Sequence, residues 1–114
     1  MHELSIAHNL VEIAIETAEF SEMKKVEALH VRIGVLSGVV KEALEFSFDI
    51  ATEGTTIEGA RLEIEEIPLK IYCSQCNDEY VLQDLTPIKC PKCHKRTGDI
   101  IEGKEIELYS LEGG

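Results

Sequence analysis

Two Cys-x-x-Cys pairs constrain this chain more than any other feature of its sequence. The pairs are Cys73–Cys76 and Cys90–Cys93, with 13 residues between them. Each pair can wrap a tight turn that directs two sulfurs at one ion, and two such turns brought together make a tetrahedral four-sulfur cage. We therefore predict a zinc site built from all four cysteines, with iron in the same cage or a redox-active cysteine pair as the alternatives.

The rest of the sequence favours metal ligation over disulfide bonding. No apolar run has the length of a membrane span, and the first twenty residues do not read as a secretory signal. We therefore expect a cytoplasmic protein with no membrane association, and cysteines in the reducing cytosol bind metals more often than they form disulfides. Four sulfur ligands leave no open position for a substrate, so we expect the zinc to be structural.

The charge balance argues against nucleic acid as a partner. The chain has 22 acidic and 11 basic residues among 114, and its formal charge of −11 repels phosphate backbones. Residues 73–93 contain two lysines against three acidic residues, and extension to Gly98 adds only Lys95 and Arg96 to the basic side. This nearly neutral segment does not indicate a nucleic-acid-binding zinc ribbon.

Hydrophobic periodicity predicts an α+β fold around the cysteine segment. Helix-type spacing covers residues 4–18 and 40–51, and strand-type alternation covers residues 26–35, 61–67 and 104–111. We expect a small mixed sheet with two helices on one face, plus an inserted zinc-ribbon-like module. The predicted apolar stripes are Leu4, Ala7, Val11, Ala14, Ile15 and Ala18 in the first helix, and Val40, Ala43, Leu44, Ser47, Phe48 and Ala51 in the second.

The chain length suits one compact unit with a small appended module. We assign residues 1–68 and 99–114 to the α/β core and residues 69–98 to the zinc-binding module, whose apolar content is too low to support a core without metal. The closing Leu-Glu-Gly-Gly reads as a flexible terminus or as residues added to the natural chain.

The first three residues, Met1-His2-Glu3, form a candidate binding site for a second metal. The terminal amine, the amide nitrogens of residues 2 and 3 and the imidazole of His2 lie close together, and four nitrogen donors in a plane suit Ni(II) or Cu(II). Bound metal must displace protons, so such a site should be labile and sensitive to pH. The alternative for His2 is an ordinary solvated side chain.

In combination these features resemble the HypA family, which comprises nickel metallochaperones for the maturation of [NiFe]-hydrogenase. The similarity covers essentially the whole chain. It rests on MHE at residues 1–3, RIGVLSG at residues 32–38, the cysteine spacing of residues 73–93 and YSLE at residues 109–112.

The resemblance implies a function for both metal sites. Ni(II) would be the cargo, bound through Met1, His2 and Glu3, and Zn(II) would be structural, held by Cys73, Cys76, Cys90 and Cys93. The α/β core would then be the nickel-binding domain. The expected partners are a HypB-type GTPase and the large-subunit precursor of [NiFe]-hydrogenase, with urease maturation factors in some organisms. The resemblance leaves open whether the protein is a monomer or a homodimer.

The sequence does not identify the remaining nickel ligands. The loop at residues 37–40 offers no carboxylate, although Glu42 follows it. His94 is a candidate additional ligand, with a surface histidine on the zinc knuckle as its alternative. His8 reads as a helix-surface residue and His30 as a structural strand residue. The Glu3 carboxylate could orient His2, contact the GTPase or interact with the helix dipole.

Two other classes of function compete with a metallochaperone. One is a zinc-ribbon interaction adaptor without nickel cargo, in which His2 is incidental. The other is an enzyme, but the sequence contains no nucleophile elbow, no glycine-rich phosphate loop and no HExxH motif. With all four cysteines committed to metal, we expect no enzymatic activity.

Overall fold

A computed structural model describes residues 2–83 and 87–114. Within these ranges the chain forms two helices and six strands, arranged as two three-stranded sheets with the strand orders β2-β1-β6 and β4-β3-β5. The elements are α1 (Glu3–Phe20), β1 (Val26–Gly34), α2 (Lys41–Thr52), β2 (Arg61–Ile67), β3 (Leu69–Cys73), β4 (Asp78–Leu82), β5 (Ile100–Glu102) and β6 (Ile106–Gly113).

The chain divides into two compact units, and the first contains both helices and most of the sheet β2-β1-β6. It comprises the chain up to Arg32 together with Gly38–Glu65 and Glu107–Gly114. The helices pack against each other, and β1 places Leu29 and Val31 in the core. The buried helical residues are Ala7, Leu10, Val11, Ala14 and Ala18 in α1, and Leu44, Ser47, Phe48, Ala51 and Thr52 in α2. The predicted α+β fold class, with two helices and a cysteine module, is confirmed; the prediction had one small sheet, and the structure has two three-stranded sheets.

The first residue of each predicted apolar stripe is exposed, whereas the prediction placed it in the core. Leu4 is 45% exposed and Val40 is 54% exposed. Leu4 lies in the first turn of α1, where no preceding turn covers it, and Val40 precedes α2 in an extended conformation (φ −89°, ψ 117°). An extended residue does not follow the helical spacing, so its side chain leaves the stripe.

The exposed side chains of the sheet β2-β1-β6 form an ion-pair network. Arg32 Nε donates to Glu65 Oε2 at 3.3 Å, and the Arg32 guanidinium lies 4.2 Å from the centre of the Tyr109 ring. Arg61 pairs with Glu112 at 3.3 Å, and His30 Nε2 lies 3.1 Å from the same carboxylate. Exposed pairs of this kind contribute little stability individually, so their main effect is to fix neighbouring side chains.

The chain end is ordered, so the prediction of a flexible Leu-Glu-Gly-Gly terminus is wrong. Strand β6 continues to Gly113. The Gly114 N–H then donates to the Lys25 carbonyl at 3.0 Å, and the Lys24 N–H donates to the Gly114 carbonyl at 2.9 Å. Glycine has low intrinsic preference for strands, but backbone pairing needs no side chain.

The second unit comprises Ile33–Ser37 and Glu66–Ile106 and contains the sheet β4-β3-β5. Strand β3 pairs antiparallel with β4, from Leu69↔Leu82 to Cys73↔Asp78, and antiparallel with β5 on its other edge. Its small core consists of Leu69, Ile71 and Leu82, against which Leu36, Tyr80, Ile88 and Ile100 pack.

The segment Ile33–Ser37 joins this unit through backbone hydrogen bonds to two other chain segments. The Gly34 N–H donates to the Glu105 carbonyl at 2.7 Å and the Leu36 N–H donates to the Gly103 carbonyl at 2.6 Å, while the Val35 N–H donates to the Ile67 carbonyl at 3.0 Å. Two non-contiguous stretches of sequence, Ile33–Ser37 and Glu66–Ile106, are therefore needed to complete the unit.

Neither helix in the described part of the chain combines the length and apolar composition that a membrane crossing requires.

Candidate metal centre

The first cysteine pair lies at the tip of the β3–β4 hairpin. Cys73 ends β3, and its partner Cys76 lies in the turn that leads to β4. The turn closes at Asn77, which has a positive φ of 55° and accepts a hydrogen bond from the Tyr72 hydroxyl through its side chain. Asparagine tolerates this left-handed conformation better than most residues, which explains a tight turn without glycine here.

The second pair forms a knuckle folded around the sulfur of Cys90. The Lys92 and Cys93 N–H groups each donate to Cys90 Sγ at 3.4 Å. The His94 N–H donates to the Cys90 carbonyl at 2.9 Å, with His94 at a positive φ of 64°, and the Cys90 N–H donates to the Lys95 carbonyl at 2.9 Å. The backbone thus holds the sulfur in place and supplies donors to it.

The two turns bring the four sulfurs together. All four Sγ atoms lie within 4.8 Å of one another, Cys73 Sγ lies 3.6 Å from Cys93 Sγ, and Cys76 Sγ lies 3.8 Å from Cys90 Sγ. Zn–S bonds of about 2.3 Å place the corners of a tetrahedron about 3.8 Å apart, whereas a disulfide needs about 2.05 Å. The four free thiols are therefore spaced as ligands of one ion.

Two of the four thiols, Cys90 and Cys76, differ in how readily they ionise. Burial is the largest single influence on Cys90 and opposes its thiolate, but the Cys93 and Lys92 N–H groups, together with the Cys93 and Cys73 thiols, outweigh burial and lower the pKa of Cys90 to about 6. Burial and the crowding of the other sulfurs raise the pKa of Cys76 to about 12. A divalent cation among the sulfurs would favour the thiolate form of all four. The donor set fits such an ion and leaves it no open coordination position.

Two of the candidate nickel residues, His2 and Glu3, lie at the start of α1. His2 is the exposed residue preceding the helix, and its carbonyl accepts the first helical hydrogen bond, from the Ile6 N–H at 3.2 Å. Met1 lies outside the described residues. The amide nitrogens ahead of the first helical turn have no carbonyl one turn earlier to bind, so a helix start leaves such groups available to other partners.

Sequence reasoning missed the partner of Glu3. Its carboxylate accepts a hydrogen bond from the Val40 N–H at 3.2 Å, next to the start of α2. This bond and that of Glu3's own backbone N–H lower the pKa of the carboxyl. The loop before α2 therefore contacts Glu3 through its backbone. The sequence of the loop carries no signal for this contact, because every non-proline residue has the same N–H donor.

The other three histidines lie on α1, on β1 and on the second cysteine knuckle. His8 is exposed on α1, and His30 lies on β1 beside Glu112 and 6.1 Å, centre to centre, from the Tyr109 ring. His94 is exposed on the second knuckle, and Glu42 is exposed in the first turn of α2. A role for His94 in nickel binding stays a prediction.

Comparison with known proteins places the chain in a family. Residues 1–113 match the family described as hydrogenase/urease nickel incorporation, metallochaperone, HypA. The chain is 53% identical over 112 residues to the hydrogenase maturation factor HypA of Roseiflexus sp., covering 98% of this chain and 91% of the relative. It is 49% identical to the factor of the same name from Chloroflexus aurantiacus, covering 98% of both chains.

The fold is similar to that of a solved structure. The solution structure of the Ni metallochaperone HypA from Helicobacter pylori matches with a TM-score of 0.73 at 29% identity, covering 99% of this chain and 97% of that one. With a four-cysteine cluster spaced for metal, this fold and the match of residues 1–113 lead to one conclusion: the chain belongs to the HypA family of nickel-incorporation metallochaperones.

Proposed function

We propose that this protein binds Ni(II) at Met1-His2-Glu3 and delivers it, with a HypB-type GTPase, into the large-subunit precursor of [NiFe]-hydrogenase. The observation that carries the proposal is the family match over residues 1–113 combined with an exposed His2 directly ahead of α1. The protein would act as a carrier without catalytic turnover in the cytoplasm, as a monomer or homodimer, and could also serve urease maturation. In this proposal residues 1–68 and 99–114 form the nickel-binding core and residues 69–98 form the zinc-binding module, whereas by compactness residues 33–37, 66–68 and 99–106 group with the cysteine segment.

The roles of the nickel residues follow from their chemistry. Met1 supplies the terminal amine, His2 its amide nitrogen and imidazole, and Glu3 its amide nitrogen. The Glu3 carboxylate is bonded to the Val40 N–H, so we assign it to holding the start of α1 rather than to the metal. All four nitrogens except the imidazole of neutral His2 must lose protons, so loading should weaken as the pH falls.

Cys73, Cys76, Cys90 and Cys93 would hold the structural Zn(II). Their spacing and the N–H groups that bind Cys90 Sγ support this assignment. When bound, zinc would neutralise part of the thiolate charge and link the two cysteine turns.

A nickel titration of the zinc-loaded protein, followed by optical absorption, tests the proposal. We expect one equivalent of planar-type nickel absorption with the native terminus, and weakened or altered absorption when one residue is added before Met1. His2→Ala should abolish the absorption and keep the zinc. His8→Ala is the matched control, since His8 is exposed on the same helix, and it should bind nickel normally.

Two outcomes would contradict the proposal. Identical nickel binding by the native and the extended protein would place the cargo elsewhere. Absence of nickel binding in both would favour the alternative, a zinc-ribbon interaction adaptor without nickel cargo.

A further inference from the structure

The segment Pro87–Gly98 has a charge opposite to that of the chain as a whole. It contains four of the chain's 11 basic residues and none of its 22 acidic ones. All four, Lys89, Lys92, Lys95 and Arg96, are exposed. Within residues 2–83 and 87–114, no carboxylate lies within ion-pair distance of any of them. Among the described residues, these four basic side chains therefore lack carboxylate partners.

This charge borders an apolar groove of about 490 Å³ in the same compact unit. Val81, Leu82, Pro87 and Pro91 supply its apolar surface, and Lys89 and His94 also line it. Val81 is 50% exposed although it is a large aliphatic residue within strand β4. Lys89 and Arg96 form an antiparallel backbone bridge, so their side chains lie on the same face.

We propose that this groove docks an extended acidic segment of a partner protein that carries at least one aliphatic side chain. The aliphatic group would occupy the apolar surface beside Val81, Pro87 and Pro91. The carboxylates would pair with Lys89 and Arg96. Apolar contact supplies the affinity, and the charges select an acidic segment and fix its register.

The chemistry of the groove favours an acidic peptide over a nucleic acid. Single strands are bound by stacking bases on aromatic side chains, and no aromatic residue is among those that line the groove in the described chain. A net charge of −11 also repels a long phosphate backbone, whereas a short peptide interacts mainly with charges within about 8 Å at physiological salt. A zinc-loaded cage would carry −2, which offsets only half of the four positive charges.

The surface goes beyond the proposed nickel function, because none of its residues belongs to the Met1-His2-Glu3 site; His94, the candidate additional nickel ligand, lines it, and the test therefore uses nickel-free protein. It can be tested by NMR on the zinc-loaded, full-length, nickel-free protein. The probe is an eight-residue synthetic peptide, Glu-Asp-Glu-Leu-Leu-Glu-Asp-Glu. We expect amide shifts at Val81, Leu82, Lys89 and His94, with a Kd below about 1 mM that weakens as salt is raised.

Two altered peptides test the two parts of the recognition. Replacing both leucines of the peptide by serine, or its acidic residues by glutamine and asparagine, should each weaken binding by about tenfold or more. Equal binding by either altered peptide would overturn the proposal. So would the absence of shifts up to about 1 mM of the original peptide.

Charge reversal on the protein tests the location. Lys89→Glu combined with Arg96→Glu should weaken peptide binding at least about tenfold. Lys24→Glu combined with Lys25→Glu changes the net charge equally in the other compact unit and should leave the Kd within about twofold. Both variants should keep zinc and bind nickel normally, so a failure here is distinct from a failure of the nickel proposal. Equal loss in both variants would overturn the proposal.

Two further measurements show whether the groove binds something other than an acidic peptide. Tighter binding of an oligo-dT strand than of the peptide at the same amides would assign the surface to nucleic acid. Concentration-dependent self-association in sedimentation, lost in the Lys89→Glu and Arg96→Glu variant, would assign it to a second copy of this chain. Either result would overturn the proposal.

Discussion

Gly34 occupies a place in the second unit where no side chain fits. A Cβ atom there would overlap the Gly103 carbonyl and lie 2.5 Å from Glu105 Oε1. The Gly34 N–H also donates to the Glu105 carbonyl, so the backbone cannot move away without losing that bond. The constraint is the close approach of two chain segments, and Gly34 is the residue that allows it.

We therefore expect Gly34→Ala to lower the free energy of unfolding by at least about 2 kcal/mol, because main-chain atoms must move to admit the methyl group. Urea unfolding of the zinc-loaded protein measures this. Gly98→Ala is the matched control, since nothing lies near its Cβ position and its φ is not positive, and it should change stability by about 1 kcal/mol or less. Equal stability of the two variants would contradict the prediction.

Glu112 has two side-chain partners, His30 and Arg61, on the exposed face of the sheet. The hydrogen bond to His30 lowers the pKa of its carboxyl, and Arg61 lowers it further. Because the folded pKa lies below the unfolded one, the stabilisation is complete above the unfolded value of about 4.3 and is lost as the pH falls through the folded pKa.

Glu112→Gln should therefore be less stable than the native protein at pH 7, and the difference should shrink and disappear as the pH falls through the lowered pKa of the folded carboxyl. Urea midpoints of the two proteins across this range measure the effect. Glu27→Gln on β1 is the control, because Glu27 has no charged partner within the described residues. A Glu112→Gln difference that is independent of pH would show that the ion pairs do not stabilise the fold.

At the scale of elements, the sequence predicts regular segments well and their ends less well. Strand β2 spans the predicted residues 61–67, because its alternation is bounded by Arg61 and by Pro68. Strand β6 spans Ile106–Gly113 instead of residues 104–111, since its last pairings involve only backbone atoms. The positions of β3, β4 and β5 were not predicted, because strands of only three to five residues carry too little apolar alternation to be recognised.

The functional residues likewise include a part that the sequence predicts and a part that it does not. Local spacing predicts the cysteine cluster, because two short turns determine where the four sulfurs can lie. The contact between Glu3 and Val40 joins residues 37 positions apart through a backbone donor. Periodicity and motifs carry no information about such a contact.

The position of Cys76 in the β3–β4 turn leads to a testable prediction about zinc binding. Cys76→Ser should release the zinc and loosen residues 69–98, because that segment has only a small apolar core of its own. Zinc analysis and amide hydrogen exchange measure both effects, and the amides of α1 and α2 should keep their protection.

Ser74→Ala is the matched control for that variant. Ser74 is exposed in the same turn and carries no metal-binding sulfur. Its variant should keep one zinc per chain. Retention of full zinc content and full protection in Cys76→Ser would refute the four-sulfur assignment.

At the scale of the whole molecule, the formal charge of −11 is the dominant electrostatic property. Like charges repel one another more in the compact state than in the extended chain, so screening should favour folding. The exposed ion pairs are weakened by the same salt, but each contributes little.

We expect the melting temperature of the zinc-loaded protein to rise by about 3 °C or more between low salt and about 0.5 M NaCl, as measured by calorimetry. Combining Glu16→Lys with Glu19→Lys on the exposed side of α1 makes the net charge less negative by four and should reduce this dependence. A melting temperature that falls with salt in the native protein would mean that the ion-pair network outweighs the net repulsion.

The second unit is built from two separate stretches of sequence, so it cannot be transferred to another protein as one continuous segment. A gene fragment encoding only Glu66–Ile106 would lack Ile33–Ser37, and with it the Leu36 side chain and the Gly34, Val35 and Leu36 backbone donors. A recombination event that moved the cysteine segment into another protein would leave these contributions behind. The metal-linked part of this chain is therefore expected to evolve together with the strand that precedes α2, and not as a cassette.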